Sequence, residues 1–455
     1  MSLYLFMKKT HSNFLVILCA FSLLFINTPL KSQQPVYCFP SPEGYGAAVT
    51  GGGNATPVTV STYADLKTQL TSSGSKVILV SGTITIPSGG EIAGAITNKT
   101  LLGLPGAHLV NLNQTASTSG ILYLKDGSTN VIIRNILFEG PGAYDVDGND
   151  NLSCEATKFW VDHCEFQDGM DGNFDITKNG NIGTVSWCKF TYLKPPKVGG
   201  SGGSNDHRFS DLIGSSASSL PASGHYQITF QCCYWAAGCV ERMPRTRNAA
   251  IHLVDCYYNT VGTGNLAIGV GGGVNNSTLY VENCNFENVK AVYRSYDSTD
   301  GGSESLTFDG CLKGIANVGS PVPKPTYTYT VFPAANVAEY VGNVTCGAGA
   351  TLQITSDGHV SSSCTTTELI NPAATSNVKL YSSDSGNSIN ISLNNHANND
   401  TEFDIYSLNG QKIMSNSQWI SSGQTVTLYI NQLNSGIYLC QIRNSNLSTV
   451  VKFIK

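Results

Sequence analysis

The sequence predicts an all-β fold, a right-handed parallel β-helix followed by a small β-sandwich. Three observations lead there. A short pattern ending in Cys-x-aromatic returns along residues 160–286, only 13% of the 455 residues are charged while glycine numbers 47, and the chain changes style near residue 376. Low charge with abundant Gly, Asn, Ser and Thr favours short strands and tight turns over surface helices. The length exceeds what one compact core normally fills, so an elongated repeat or two domains is expected.

The repeat consists of Trp160-Val-Asp-His-Cys164-Glu-Phe166, Val185-Ser-Trp-Cys188-Lys-Phe190, Phe230-Gln-Cys232-Cys233-Tyr234, Leu253-Val-Asp-Cys256-Tyr-Tyr258 and Val281-Glu-Asn-Cys284-Asn-Phe286. The cysteines are spaced by 24, 44, 24 and 28 residues, so the unit is about 22 to 28 residues and the interval of 44 holds either two turns or one enlarged loop. A unit of that size cannot bury its own apolar face, and stacking supplies the core. Alternating Val, Ile, Phe, Tyr and Trp without a long 3.6-residue period makes each unit a coil of strands. Coils stacked at ~4.8 Å would align equivalent cysteines as an internal column of small hydrophobes. A zinc site is the competing reading, but Cys-x-x-Cys pairs are missing. Cys232 and Cys233 are adjacent, so they should face opposite ways. Cys346 and Cys364, beyond the repeats, could pair as a disulfide.

Residues 1–32 read as a secretory signal: Lys8 and Lys9, an apolar run from Phe14 to Ile26, then Pro29, Lys31 and Ser32. No later stretch approaches the ~20 apolar residues that span a bilayer. The β-helix is expected over 33–346 and a Gly/Ser/Thr/Ala-rich linker over 347–375. The sandwich follows over 376–455, with strands such as Val378-Lys-Leu-Tyr, Ile389-Asn-Ile-Ser and Val426-Thr-Leu-Tyr. A net charge of -5 and a pI near 5.9 argue against a nucleic-acid partner.

Two clusters carry chemistry. Asp145, Asp147 and Asp150 form a dense acidic stretch, and Asp150 lies about one repeat before Asp171 and Asp175, so adjacent coils could stack these carboxylates into an oxygen-rich site for a hard cation such as Ca²⁺. Asp-Gly and Asn-Asp pairs also simply make turns, a reading that stays open for Asp145 and Asp147. Further along, Glu241-Arg242-Met-Pro244-Arg245-Thr-Arg247 sets three arginines within six residues of a chain poor in charge. A solvated charged strand is the plain alternative.

Together these residues resemble the polysaccharide lyase family 1 pectate lyases. The similarity runs from about Tyr63 to Gly349 and is carried by Trp160-Val-Asp-His163, Asp171 to Ile176, Thr184-Val-Ser-Trp187, Leu212-Ile-Gly-Ser215 and Arg242-Met-Pro-Arg-Thr-Arg247 before Ile251-His-Leu-Val. The resemblance implies calcium-assisted β-elimination of polygalacturonate. It implies that Arg242 is the catalytic base, that Arg247 and Arg245 bind substrate, and that Lys194, or Lys197 in its place, does so too. It also implies that Asp150, Asp171 and Asp175 hold Ca²⁺, with Asp147 a further candidate ligand. The family often has Glu where this chain has Asp171, and its link between Lys194 and Leu212 is usually shorter. An arginine base implies an alkaline optimum.

The last 80 or so residues resemble the sorting domain of the type IX (Por) secretion system, through Phe403-Asp-Ile-Tyr-Ser-Leu-Asn-Gly410, Gly436-Ile-Tyr and Val450-Val-Lys-Phe-Ile-Lys455. That implies secretion machinery as a partner and a location outside the cell or on its surface. A carbohydrate-binding module is the alternative for this segment. For the β-helix, the alternatives are a polygalacturonase-like hydrolase using Asp171 and Asp175, a pectin lyase, and a non-catalytic surface adhesin. A capped β-helix is expected to be monomeric.

Overall fold

The computed structural model describes residues 37–455 apart from 145–147, 200–204, 261–265, 361–377, 383–387, 394–398, 408–411, 422–423, 435–436 and 445–446. The signal segment over 1–32, Asp145, Asp147, Cys364 and most of the expected linker therefore lie outside the described residues.

Among the described residues, three parallel sheets of ten, eight and eight strands run side by side, each joining coil n to coil n+1. This is a parallel β-solenoid. The strand Asn181–Ser186 pairs directly with Tyr226–Gln231, so the interval of 44 is one coil with enlarged loops and not two turns. Six coils leave the ten-stranded sheet through one non-glycine residue of positive φ: Asn135 (58°), His163 (47°), Trp187 (48°), Cys232 (54°), Asp255 (53°) and Asn283 (49°). The amide of each donates to the carbonyl of a residue in the following coil, as His163 N–H does to Ser186 at 3.0 Å. The bend thus costs no unmade hydrogen bond.

The residue after each bend points inward and builds the thiol column. The Sγ atoms of Cys164, Cys188, Cys233, Cys256, Cys284 and Cys311 each reach a carbonyl of the preceding coil, those of Ile133, Val161, Val185, Phe230, Leu253 and Val281, at 3.4–3.7 Å. Burial pushes the thiols of Cys188, Cys256 and Cys284 well above the ordinary range, which keeps them protonated and unreactive. Cys233 joins the column, whereas Cys232 turns into an outer cluster with Tyr37, Trp187 and Tyr340. Cys346 is a buried free thiol of that outer cluster. Three positions past each bend an aromatic column rises in parallel. Ring centroids step 4.9, 5.4, 5.5, 4.7 and 4.5 Å through Phe138, Phe166, Phe190, Trp235, Tyr258 and Phe286.

The all-β expectation leaves out three short helices among the described residues, one of them the single turn Asp297–Asp300. Tyr63–Thr71 is capped by Thr62, whose side chain accepts from the Asp65 amide, and it lays Leu66 and Leu70 over the first coil. Ala334–Val341 places Val337 and Val341 against the outer cluster. No helix among the described residues is long and apolar enough to cross a membrane. The start of the expected linker is packed and not loose: Ala348, Leu352 and Ile354 are buried, and Asn135 exchanges hydrogen bonds with the Leu352 backbone at 2.8 and 3.0 Å.

The C-terminal region holds two antiparallel sheets. Val378–Ser382, Ser388–Leu393 and Thr425–Tyr429 form one, and Lys412–Ile420, Asn399–Ser407, Ile437–Asn444 and Leu447–Ile454 the other. Ile389, Ile391, Phe403, Ile405, Val426, Leu428 and Ile442 share one core, as alternation along each strand requires.

The aromatic column is the part of the core least able to close over a void. Phe166→Ala should cost about 3–5 kcal/mol, seen as a lowered thermal midpoint, with Phe166→Leu clearly milder. Equal midpoints for the two variants would contradict this account of the core.

Candidate active-site cleft

One eight-stranded sheet carries the candidate residues on its outer face. Its register sets Ser153, Asp175, Leu212, Arg245, Gly269 and Arg294 in a single row across successive coils, because Ser153 pairs with Asp175, Leu212 with Arg245, and Gly269 with both Arg245 and Arg294. Alternate residues Phe174, Ile176, Ile213 and Val270 point into the core. Period-two alternation thus decides which of these residues meet solvent.

Asp150 precedes the strand Leu152–Cys154 and stands opposite Gly172, since the Asn151 amide donates to the Gly172 carbonyl at 3.3 Å. Gly172 has no side chain to fill the space between them. A Cβ there would meet Asp150 Oδ1 at 3.0 Å and Asp175 Oδ1 at 3.1 Å, so both carboxylates aim at one spot. Both are 8% exposed. Asp150 Oδ2 accepts from Ser153 Oγ at 2.8 Å, while Oδ1 has no hydrogen-bond partner among the described residues. Asp175 Oδ1 accepts from the Leu212 amide at 2.9 Å. Burial, and then the charge of Asp171, push the Asp150 carboxyl up to about 7, against the pull of Ser153 and Arg242. Burial and Asp150 hold Asp175 well above the usual range, and Arg242 again opposes them. Asp171 faces His207, with Oδ1 2.8 Å from Nε2. Among the described residues no three His, Cys, Asp or Glu side chains form a group that could hold a metal ion.

The arginines line a cleft of about 370 Å³ with Phe209, Glu241, Leu266, Tyr296, Thr299 and Asp300. Arg242 has φ 59°, a left-handed conformation unusual for a residue with a side chain, and its guanidinium lies 4.8 Å over the Phe209 ring. The Met243–Pro244 peptide that follows is cis. Arg245 stacks on Tyr296 at 3.7 Å and pairs with Asp300. Arg247 donates to the Gly214 carbonyl at 2.7 Å and pairs with Asp300 at 3.0 Å.

Two comparisons of sequence decide the family. A family model described as pectate lyase matches residues 14–377. The chain belongs to the pectate lyase family. A pectate trisaccharide-lyase of Thermotoga maritima is 35% identical over 244 residues, 51% of this chain and 57% of that protein, so the chain spans little more than half of this relative. Pectate lyase B of Colletotrichum gloeosporioides is 30% identical over 306 residues, 65% of this chain and 82% of that one. In fold, this member of the pectate lyase family is similar to a pectate lyase from Bacillus sp. N165 solved in complex with trigalacturonate (TM-score 0.50, 21% identity, 68% and 99% of the two chains). It is likewise similar to a pectate lyase of Acidovorax avenae subsp. citrulli (TM-score 0.51, 16% identity, 69% and 95%). Residues 380–455 match a model described as a secretion system C-terminal sorting domain. A chain with this tail is secreted, to the cell surface or beyond it.

Elsewhere in this pectate lyase family member, Lys194 is engaged by groups outside the candidate cation site. Its ammonium is held by Glu139 at 2.9 Å and the Gly140 carbonyl at 2.6 Å, with Asp168 at 3.8 Å. Lys197 lies 5.9 Å from the Tyr144 ring centre. Sequence reasoning passed over His207, Phe209, Tyr296 and Asp300. His207 and Phe209 lie in the long Lys194–Leu212 link, where their only signal was that the link is long. Tyr296 and Asp300 belong to coils beyond the arginine motif, and nothing in their local sequence ties them to it.

A carboxyl raised by folding binds a proton in the folded state that the unfolded state releases, so stability falls as pH rises between the two values. The chelator-treated protein should therefore lose thermal stability from pH 4 to about 7, where Asp150 titrates. Asp150→Asn should flatten that slope in melts followed by circular dichroism.

Proposed function

We propose that this chain cleaves α-1,4-linked polygalacturonate by β-elimination, releasing unsaturated oligogalacturonides, and that Ca²⁺ takes part. The observation that carries this reading is the placement of a buried, mutually repelling carboxylate pair beside an arginine whose charge acts on both members. Asp150 and Asp175 fit a hard divalent cation. They are oxygen donors aimed at one spot, and Asp150 Oδ1 is buried without a hydrogen-bond partner among the described residues, a cost that a cation would relieve. Asp171, released from His207, would add oxygens, and Asp147 remains a candidate. Bound there, Ca²⁺ would neutralise the substrate carboxylate and the negative charge that develops on it.

The chain's own residues do the rest. Arg242, whose guanidinium lies over the Phe209 ring, is the group proposed to take the C5 proton. The electrons left behind form the C4–C5 double bond, and the glycosidic oxygen departs from C4. Arg245 and Arg247 line the same cleft and would hold neighbouring carboxylates along the polyanion. Lys194 would reach substrate only by leaving Glu139. Arginine loses its proton only in strongly alkaline water, so rates should climb toward alkaline pH. For the whole chain we propose a secreted monomer whose last 76 residues engage the secretion machinery.

Incubation with polygalacturonate should give rising ultraviolet absorbance that a chelator suppresses. Arg242→Ala should cut the rate by roughly 10²–10⁴ with an unchanged melting temperature. Reducing sugar without absorbance would identify a hydrolase, neither signal a binding protein, and an active Arg242→Ala variant would remove Arg242 from its role.

A further inference from the structure

We infer that Asp300 is a positioning residue of the cleft: its single buried carboxylate, delivered from a later coil, ties Arg245 and Arg247 together and leaves Arg242 as the unclamped guanidinium. The inference rests on the reading above, in which these arginines meet substrate carboxylates. Arg245 and Arg247 flank Thr246, so their side chains leave the strand on the same face. Two guanidinium groups placed so close repel one another, and burial together with Arg247 pulls the Arg245 value down while Asp300 opposes both. Asp300 Oδ2 meets Arg245 Nη2 and also Arg247 Nε, the latter at 3.0 Å. The Asp300 side chain is 8% exposed, so this contact is not a surface pairing that water and salt dissolve.

The surroundings are shaped for this contact. A Cβ on Gly271 would stand 2.2 Å from Asp300 Oδ2, and one on Gly269 would stand 2.9 Å from both Arg245 Cδ and Tyr296 Cε2. Two glycines of the strand Leu266–Val270 and its exit thus clear the path by which Asp300 and Tyr296 reach back over one coil. Tyr296 lies under Arg245, and the Gly214 carbonyl takes the far side of Arg247. Arg242 has no such fixing. Among the described residues no hydrogen bond or ion pair holds its guanidinium, only the Phe209 face. One carboxylate therefore sorts three chemically identical groups into two anchored ones and one able to move.

The test is Asp300→Asn in the full chain. It keeps the side chain's size and adds one unit of positive charge to a cleft proposed to bind a polyanion. If bulk electrostatics ruled, KM for polygalacturonate would fall. If Asp300 positions the arginines, KM should rise by roughly tenfold, the worth of one lost charge-assisted hydrogen bond, with kcat within about twofold. In an Arg245→Gln/Arg247→Gln background the same substitution should then change KM little. An unchanged or lowered KM, or an effect that simply adds to that of the double substitution, overturns the proposal. Calorimetric titration with trigalacturonate separates the two readings. A chain that makes no unsaturated product but binds trigalacturonate more weakly as Asp300→Asn loses only the reaction. A chain that does not bind trigalacturonate at all loses both.

Discussion

Hydrogen bonding between successive coils is the interaction on which everything else in this protein depends. Because each strand pairs in register with its equivalent one coil away, a residue's height and facing direction are fixed by its neighbours above and below. Side chains distant in sequence become adjacent columns. Inside, that gives the thiol and aromatic columns; outside, it gives the row from Ser153 through Asp175 and Arg245 to Arg294. A slip of one residue in any coil would turn that coil's outward residues into the core.

The same rigidity explains how like charges can be forced together at the cleft. Asp150 and Asp175 are driven toward each other by backbone pairing and by the missing side chain of Gly172, at a cost that shows in their raised carboxyl values. Arg245 and Arg247 are forced onto one face by strand alternation, and there the repulsion is offset within the chain by Asp300. In the acidic group Arg242 opposes the rise of both carboxyls, helped by the Ser153 hydroxyl at Asp150 and the Leu212 amide at Asp175, and burial still prevails. This asymmetry, a satisfied basic side facing an unsatisfied acidic side, is what a cation and an anionic sugar between them would complete.

The solenoid was legible because its period is short and its marker residue is plain. Cys164, Cys188, Cys256 and Cys284 recur with a following aromatic, and each coil buries both at the same height. The convergence of Asp150 and Asp175 was legible for the same reason, since they differ by about one coil. Irregular segments were not. His207 and Phe209 reach the site from a loop that repeats nothing, and Tyr296 and Asp300 reach it from a helical turn after Ala291–Ser295. The packed start of the segment after residue 346 was hidden as well, because what fixes it is the Leu352 backbone bonding to the Asn135 side chain, far away in sequence.

By itself the sequence determined the repeat and the all-β class, both of which follow from local pattern and composition. Only the tertiary structure decided that Cys233 and not Cys232 enters the column, that 44 residues make one coil, that Asp171 leans on His207, and that Asp300 clamps two of three arginines. The physical reason is that pattern fixes which way a side chain points, whereas its partner is whatever another coil places within bonding distance.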